Sequence, residues 1–304
     1  MPSISWAGTV ETRSCSAADV AGQRQVAYVL LASISCSIIE QSSEENAPME
    51  GATGPDKEFM ATLAKGLAVI QAFGAERPRL TLSDAAEAVG LSRAAARRVL
   101  RTLTLLGFVE QDGRHFALAP RVLDLGFSYL SSQSWIDHAQ RHLKSLSEQL
   151  HESCSVSVLQ GDEIIYVARV QIQRILSSTI SVGTRLPVFH TSMGRIQLGY
   201  LPDAELWRRL RAARIEPMTP STITDLSALF ERIKQDHERG FSIVDEELEK
   251  GLRSISVALT TRTGALVGAI NASTHTSRTT RNEMRDRFLP RLREIAQRVA
   301  LATD

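Results

Sequence analysis

Between Leu82 and Leu106 the chain reads LSDAAEAV, then Gly90 and Leu91, then Ser92 followed by RAAARRVLRTLTLL, and few folds accommodate that arrangement. Thr81 or Ser83 opens a short helix that Gly90 closes. Ser92 caps the next helix, and Gly107 ends it. Two helices joined by a short turn containing glycine predict a helix-turn-helix. Upstream, Phe59, Leu63, Leu67, Ile70 and Phe73 recur at the spacing of one apolar helical face, stopped by Gly74 and Pro78. Downstream, Phe108-Val-Glu110 and His115-Phe-Ala-Leu118 flank Gln111-Asp-Gly-Arg114, a hairpin that supplies a wing. The third helix is expected to turn Ala96, Val99, Leu103 and Leu106 inward.

That helix also carries Arg93, Arg97, Arg98 and Arg101, with no acidic residue from Ala88 to Val109. The formal net charge is only +1, which argues against a chain that coats nucleic acid along its whole surface, so the positive strip is local. An arginine fork pairs with guanine edges in the major groove or with phosphate. Ser92 and Arg93, at the helix start, are the first candidates to reach bases or phosphate, with Arg97 next. Arg98 and Arg101 extend the strip, and Arg114 in the wing is expected at the DNA backbone. The competing explanation is a merely solvated basic helix; the preceding helix, turn glycine, cap and wing weigh against it.

Residues 1–55 lack a sustained period and predict a disordered tail, or a start placed upstream of the true initiator, with Met49 or Met60 as candidates. The apolar-leaning run Ala27 to Ile39 falls short of the ~20 residues of a bilayer helix and reads poorly as a secretory signal, so the expected location is cytoplasmic with no membrane contact. The domain reading is 56–120 for the winged helix-turn-helix, 121–133 for a linker helix and 134–304 for a second domain. In that domain Trp135 to Leu150 reads as a helix burying Ile136, Leu143, Leu146 and Leu150. Strands follow at Cys154 to Leu159, Glu163 to Val170 and Ile175 to Val182, and again at Phe241 to Val244, Ser254 to Thr260 and Ala265 to Ala272. Helices are expected at Ser192 to Tyr200, Asp203 to Ala212, Leu226 to Glu238 and Thr280 to Leu301. The fold class is α+β, an antiparallel sheet with helices on its faces.

Chemistry in this second domain centres on Gly183 to Arg195, a loop feeding a helix. Its Ser192 and Met193 amides suit a carboxylate, although ordinary capping by Thr191 or Ser192 explains the same residues. Gly240 to Ser256 holds a cluster of acidic residues that reads as an exposed turn, with metal binding or proton transfer as alternatives. Signals for catalysis are missing. His138 and His142 lack the glutamate of HExxH, and there is no GxSxG elbow, no phosphate loop and no GxGxxG. Three cysteines (Cys15, Cys36, Cys154) form no CxxC pair. No catalytic residue, metal ligand or cofactor is expected; the runner-up is a small-acid-binding or hydrolytic enzyme with a helical N-terminal extension.

From about Glu58 onward the chain resembles the IclR family of bacterial transcriptional regulators. The words LAKGLAVIQAFG (63–74), LSRAAARRVLRTL (91–103), RLPVFHTSMGR (185–195) and VDEELEKGLRSISV (244–257) carry the likeness, and they are most similar to the Pca/Pob subgroup that controls protocatechuate, 4-hydroxybenzoate and β-ketoadipate catabolism. The resemblance implies a winged helix-turn-helix joined by a linker helix to a GAF-like effector-binding domain. It implies a homodimer or dimer of dimers on palindromic double-stranded promoter DNA, responding to a small aromatic or dicarboxylic acid. It also implies an effector pocket of Ile175, Ser178, Leu186, Ser192, Met193, Leu252, Ser254, Asn271 and Ser273. A charge-assisted bond from Arg174 or Arg185 would suit an acid there, with a strand arginine pointing to solvent as the alternative. There are departures. Many members have histidine where Phe189 stands, His190 takes a place more often small or cysteine, and Ser254 replaces a cysteine of some relatives.

Overall fold

The structure is a computed structural model, and it describes residues 58–172 and 180–303. The expectations for the tail, for Arg174, Ile175 and Ser178, and for most of the strand run from Ile175 lie outside the described residues. The chain divides between Ala117 and Leu118 into two compact units.

The first unit holds α1 (Ala61–Gln71), α2 (Leu82–Ala88) and α3 (Arg93–Leu105), with β1 (Leu80–Thr81), β2 (Val109–Asp112) and β3 (His115–Leu118) in the order β1-β3-β2. Local chemistry sets its ends. Thr81 and Asp84 exchange hydrogen bonds as a capping box, the Thr81 amide donating to Asp84 at 2.8 Å. Gly90 takes φ +62°, which lets the Leu91 amide donate back to Ala86 at 2.8 Å and turns the chain toward α3. The Ser92 hydroxyl accepts from the Ala95 amide at 3.2 Å.

Two expected stripes are corrected. On α3 the buried residues are Ala96, Leu100 and Leu103; Val99 is half-buried and Leu106 is exposed. The inward stripe follows i, i+4, i+7 from Ala96 and passes through Leu100. On α1, Val69 and Phe73 are buried, whereas Phe59, Leu63 and Leu67 are 65%, 58% and 48% exposed. Periodicity identified an apolar face there without saying what covers it.

The second unit opens with a 3-10 turn at Pro120–Val122, α4 (Leu123–Ser132) and α5 (Ser134–Leu150). Its sheet contains β4 (Ser153–Gln160), β5 (Glu163–Val170), β6 (Arg185–Pro187), β7 (Ser242–Asp245), β8 (Leu252–Thr260) and β9 (Leu266–His275). The order is β6-β5-β4-β9-β8-β7, antiparallel at every pairing given a register. Between strands lie α6 (Ser192–Leu198), α7 (Asp203–Ala212) and α8 (Leu226–Arg239), and α9 (Leu289–Leu301) ends the chain after a π turn at Met284–Phe288. Strand β6 falls in a stretch whose sequence reads as loop.

The sheet's faces differ in kind. On one, Cys154, Val156, Ile255, Val257, Ile270 and Ala272 pack against the buried faces of α5 and α9, where Ile136, Leu143, Leu146 and Leu150 sit as their spacing predicts. The other is covered by α6, whose Met193, Ile196 and Leu198 join a second core with Leu206, Leu210, Leu229 and Ile233 from α7 and α8. That second face is where polar residues concentrate.

Candidate functional site

In the first unit, Ser92, Arg93, Arg97, Arg98, Arg101 and Arg114 are all exposed. Burial of Ala96, Leu100 and Leu103 on the far side of α3 presents Arg93, Arg97 and Arg101 outward at four-residue intervals. Arg79 in the same unit is paired with Asp112 at 3.4 Å, an exposed contact that leaves the α3 strip intact.

In the second unit, strand register assembles a row that no linear spacing announces. Arg169, Ser155, Asn271, Ser256 and Ser242 lie directly opposite one another across β5, β4, β9, β8 and β7. Directly paired residues share a face, and this face is the one under α6, as the Gln197 Nε2 bond to Ser157 Oγ at 3.3 Å shows. A bulge in β5 places Tyr166 opposite Ser157 and Arg169 opposite Ser155, so both turn to this side.

The two ends of the row are bonded within the protein. Arg169 Nη1 donates to Ser155 Oγ at 3.0 Å, and Ser242 donates to the buried Asp236, which also accepts from Arg239 at 2.5 Å. Burial pushes the Asp236 carboxyl up, against the pull of Ser242 and Arg239. The middle is different. Among the described residues, Ser256 Oγ and Asn271 Oδ1 are buried with no hydrogen-bond partner, and the same holds for Ser192 Oγ at the start of α6. Capping of α6 falls to Thr191, which accepts from the Gly194 amide at 3.1 Å. Gly194 is required there because a Cβ would sit 2.0 Å from the Val188 carbonyl oxygen. Each buried polar atom left without a partner costs roughly 1–3 kcal/mol, so Ser192, Ser256 and Asn271 together call for an explanation.

Of the other expected pocket residues, Met193, Leu186 and Ser254 are buried, and Leu252 and Ser273 are half-buried. Ser254 and Ser273 pair across β8 and β9 two residues along from Ser256 and Asn271, on the same face. The Asn271 amide nitrogen donates to Ser273 Oγ at 3.1 Å. Arg185 is placed elsewhere, bonded to Glu163 at 2.6 Å on the β6 edge, as a solvent-side strand arginine would be. Arg169, Ser155 and Ser256 were missed by sequence reasoning, because alternation alone does not give the register. Two surface clefts of this unit, about 210 and 570 Å³, lie at the Tyr200–His237 end and beside Pro290 and contain none of these residues.

The acidic cluster is corrected from an exposed turn to an internal anchor. Arg195 on α6, fully buried, donates to both Glu247 oxygens at 2.8 and 2.5 Å and to the Phe189 carbonyl at 2.8 Å. Glu247 also accepts from the Ile223 amide at 3.3 Å. Asp245 binds Arg253 at 2.7 Å and Arg281 at 2.5 Å. No group of three or more metal-ligating residues occurs among the described residues. Cys154 is buried, and that burial pushes its thiol up, so a thiolate nucleophile is not available at neutral pH.

His190 lies in the turn before α6, buried, with Nε2 against the Glu216 carbonyl oxygen at 2.9 Å. Burial pulls its pKa below the usual 6.5, partly offset by that hydrogen bond. A depressed folded-state pKa means the neutral ring stabilises the fold above about pH 6.5, and this contribution is lost as pH falls. Melts from pH 7.5 to 5 should therefore show a shallower loss of stability in His190→Asn than in the parent; equal slopes would remove His190 from the explanation.

Comparison with known proteins agrees with this architecture. The IclR helix-turn-helix domain model matches residues 62–113, and the bacterial transcriptional regulator IclR C-terminal model matches 127–301. The Pca regulon regulatory protein of Pseudomonas putida is 44% identical over 236 residues, 77% of this chain and 81% of its own length. The p-hydroxybenzoate hydroxylase transcriptional activator of Acinetobacter baylyi is 35% identical over 245 residues, 79% of this chain and 90% of its own. A solved structure of a putative transcriptional regulator from Rhodococcus sp. RHA1 has a TM-score of 0.73 and 44% identity, covering 80% of this chain and 98% of that one. A winged helix-turn-helix with an effector-binding α+β unit defines a transcriptional regulator rather than an enzyme. The chain belongs to the IclR family. Among the described residues no helix is long and apolar enough to cross a membrane.

Proposed function

We propose that the chain is a cytoplasmic regulator of aromatic-acid breakdown that binds promoter DNA as a homodimer or dimer of dimers and senses a small aromatic or dicarboxylic acid. Residues 56–120 serve as the DNA-binding domain, 121–133 as the linker helix and 134–304 as the effector domain. On DNA, Ser92, Arg93 and Arg97 take the base and phosphate contacts at the start of α3, Arg98 and Arg101 add phosphate contacts, and Arg114 reaches the backbone from the wing. The effector lies beneath the start of α6, against Leu186, Ser192, Met193, Leu252, Ser254, Asn271 and Ser273. One observation carries this reading: buried oxygens on Ser192, Ser256 and Asn271 that have no hydrogen-bond partner among the described residues. The names of the two curated relatives, for a Pca regulon and for p-hydroxybenzoate hydroxylase, support the chemical class.

A ligand shifts operator affinity by no more than its differential affinity for two states of the dimer. Binding to the folded state raises the melting temperature by mass action. In a thermal-shift panel of protocatechuate, 4-hydroxybenzoate, β-ketoadipate and pyruvate, at least one aromatic or dicarboxylic acid should stabilise the protein. Response to pyruvate alone would overturn the aromatic-acid assignment.

Self-association is supported by apolar faces that each unit leaves uncovered. On α1 these are Phe59, Leu63 and Leu67, and on α4 they are Leu123 and Phe127, 73% and 70% exposed. The paired substitutions Leu63→Glu and Leu67→Glu should lower the mass measured by light scattering and weaken DNA binding together. An unchanged mass would take α1 out of the interface.

A further inference from the structure

Past its last residue, α6 borders a cleft that the proposed effector site does not use. The cleft, about 210 Å³, is lined by Tyr200 and His237, by Arg293 and Gln297 of α9, and by apolar residues that include Val257 and Ala296. Ser192 and Leu198, the two ends of α6, are roughly 10 Å apart, so this cleft and the proposed effector site lie at opposite ends of one short helix.

Packing rather than hydrogen bonding sets His237. Gly199 approaches so closely that a Cβ there would sit 2.6 Å from the His237 Cβ, and the Tyr200 ring meets the imidazole edge to face, with centroids 4.7 Å apart. Among the described residues, its Nδ1 is buried without a hydrogen-bond partner. An imidazole seated this way keeps hydrogen-bonding capacity for a ligand.

Arg293 is the odd arginine of α9. Arg291 and Arg298 both pair with Glu294, at 3.4 and 2.7 Å, whereas Arg293 pairs with no carboxylate among the described residues. It donates instead to the Arg239 carbonyl at 3.0 Å, with its guanidinium 6.0 Å from the Phe241 ring centroid. These contacts hold the group without cancelling its charge. Arg239, over the same ring, is already matched by Asp236. No aspartate or glutamate lines the cleft. A guanidinium, an imidazole, a phenol and an amide with no carboxylate among them favour an anion. The volume falls below the roughly 300–1,000 Å³ of sites for drug-sized ligands, which makes that anion small.

We propose that this cleft is a second ligand site, separate from the effector site, that takes a short-chain carboxylate. Arg293 meets the carboxylate, His237 adds a hydrogen bond, and Val257 and Ala296 cover the short carbon tail. Specificity for a carboxylate over a fully polar anion comes from that apolar wall.

The test is a chemical-shift titration of the histidine ring nitrogens in the full-length protein, with the His237 signal assigned by its loss in His237→Gln. The probes are propionate, inorganic phosphate and 1-propanol. Propionate should move the His237 signal saturably, with a dissociation constant on the order of 1 mM, as a ligand of so few atoms allows. Phosphate and propanol should bind at least about tenfold more weakly, and Arg293→Gln should weaken propionate by about tenfold, the worth of one charge-assisted hydrogen bond. Arg293 is exposed, so that variant should melt with the parent. Ala296→Leu, which fills the cleft, should abolish the response. Asn271→Ala, in the proposed effector site, should leave propionate affinity at His237 unchanged. Phosphate binding as tightly as propionate would overturn the carboxylate assignment, and an equal response to propanol would overturn the anion. A response lost in folded Asn271→Ala would mean that His237 reports the other end of α6, and the second site would fall while the effector reading stood. The second site also fails if the parent shows no saturable shift or if Arg293→Gln binds propionate like the parent.

Discussion

Arg97→Ala is expected to weaken binding to a duplex recovered by selection from random sequence by roughly 5- to 150-fold, the equivalent of ~1–3 kcal/mol for one good arginine–base pair. The physical ground is the orientation of α3: Ala96, Leu100 and Leu103 face the core and the arginines face out, so removing one guanidinium subtracts a contact without disturbing packing. The melting temperature should stay where it was. Affinity of the parent should fall steeply with salt, because each phosphate neutralised contributes about −0.9 to the slope of log K against log salt. Arg101→Ala should instead flatten that slope by about one unit per phosphate contact while leaving the selected sequence unchanged. Full retention of affinity in Arg97→Ala would remove the α3 strip from the interface.

Glu247→Ala is expected to be the most destabilising single change in the second unit. It leaves the Arg195 guanidinium buried without its bonded counter-charge, at a cost of about 3–5 kcal/mol. For a unit of this size each kcal/mol moves the melting temperature by roughly 2–4 °C, so the acid-responsive transition should fall by about 6–20 °C. Replacing both partners with apolar residues, Arg195→Met with Glu247→Leu, should recover most of that loss, since the cost lies in the orphaned charge rather than in the pair. The double variant should nonetheless bind its acid more weakly, because Arg195 also holds the Phe189 carbonyl and thereby the turn that leads into Ser192. A single variant that melts with the parent would show that α6 is held by its apolar contacts alone.

Much of this fold was legible in the sequence, and particular residues show why. Ser92, Gly90 and Thr81 act on their own neighbours, so capping and turn chemistry could be read from a few adjacent letters. The buried stripe of α5 was visible for the same reason: helical periodicity is local. Arg169 and Ser256 were invisible because what matters is their position in a register set by four strands and a bulge. Glu247 looked like one letter in an acidic turn until its partner, Arg195, arrived from a distant helix. Leu63 and Leu67 illustrate the opposite failure. Their spacing promised burial, and the fold leaves both of them exposed.

With the proposed effector site, the sheet keeps its structural duties and its recognition duties on opposite sides. Truncating Ile255 or Ile270 would open a void in the packed side, which cores tolerate poorly. One residue along each strand, Ser256 and Asn271 project into the other layer, where a change of hydroxyl or amide alters what is welcomed and leaves the scaffold standing. A regulator built this way can be retuned to a new inducer by editing alternate letters of two neighbouring strands, a practical route to custom biosensors that leaves operator choice untouched.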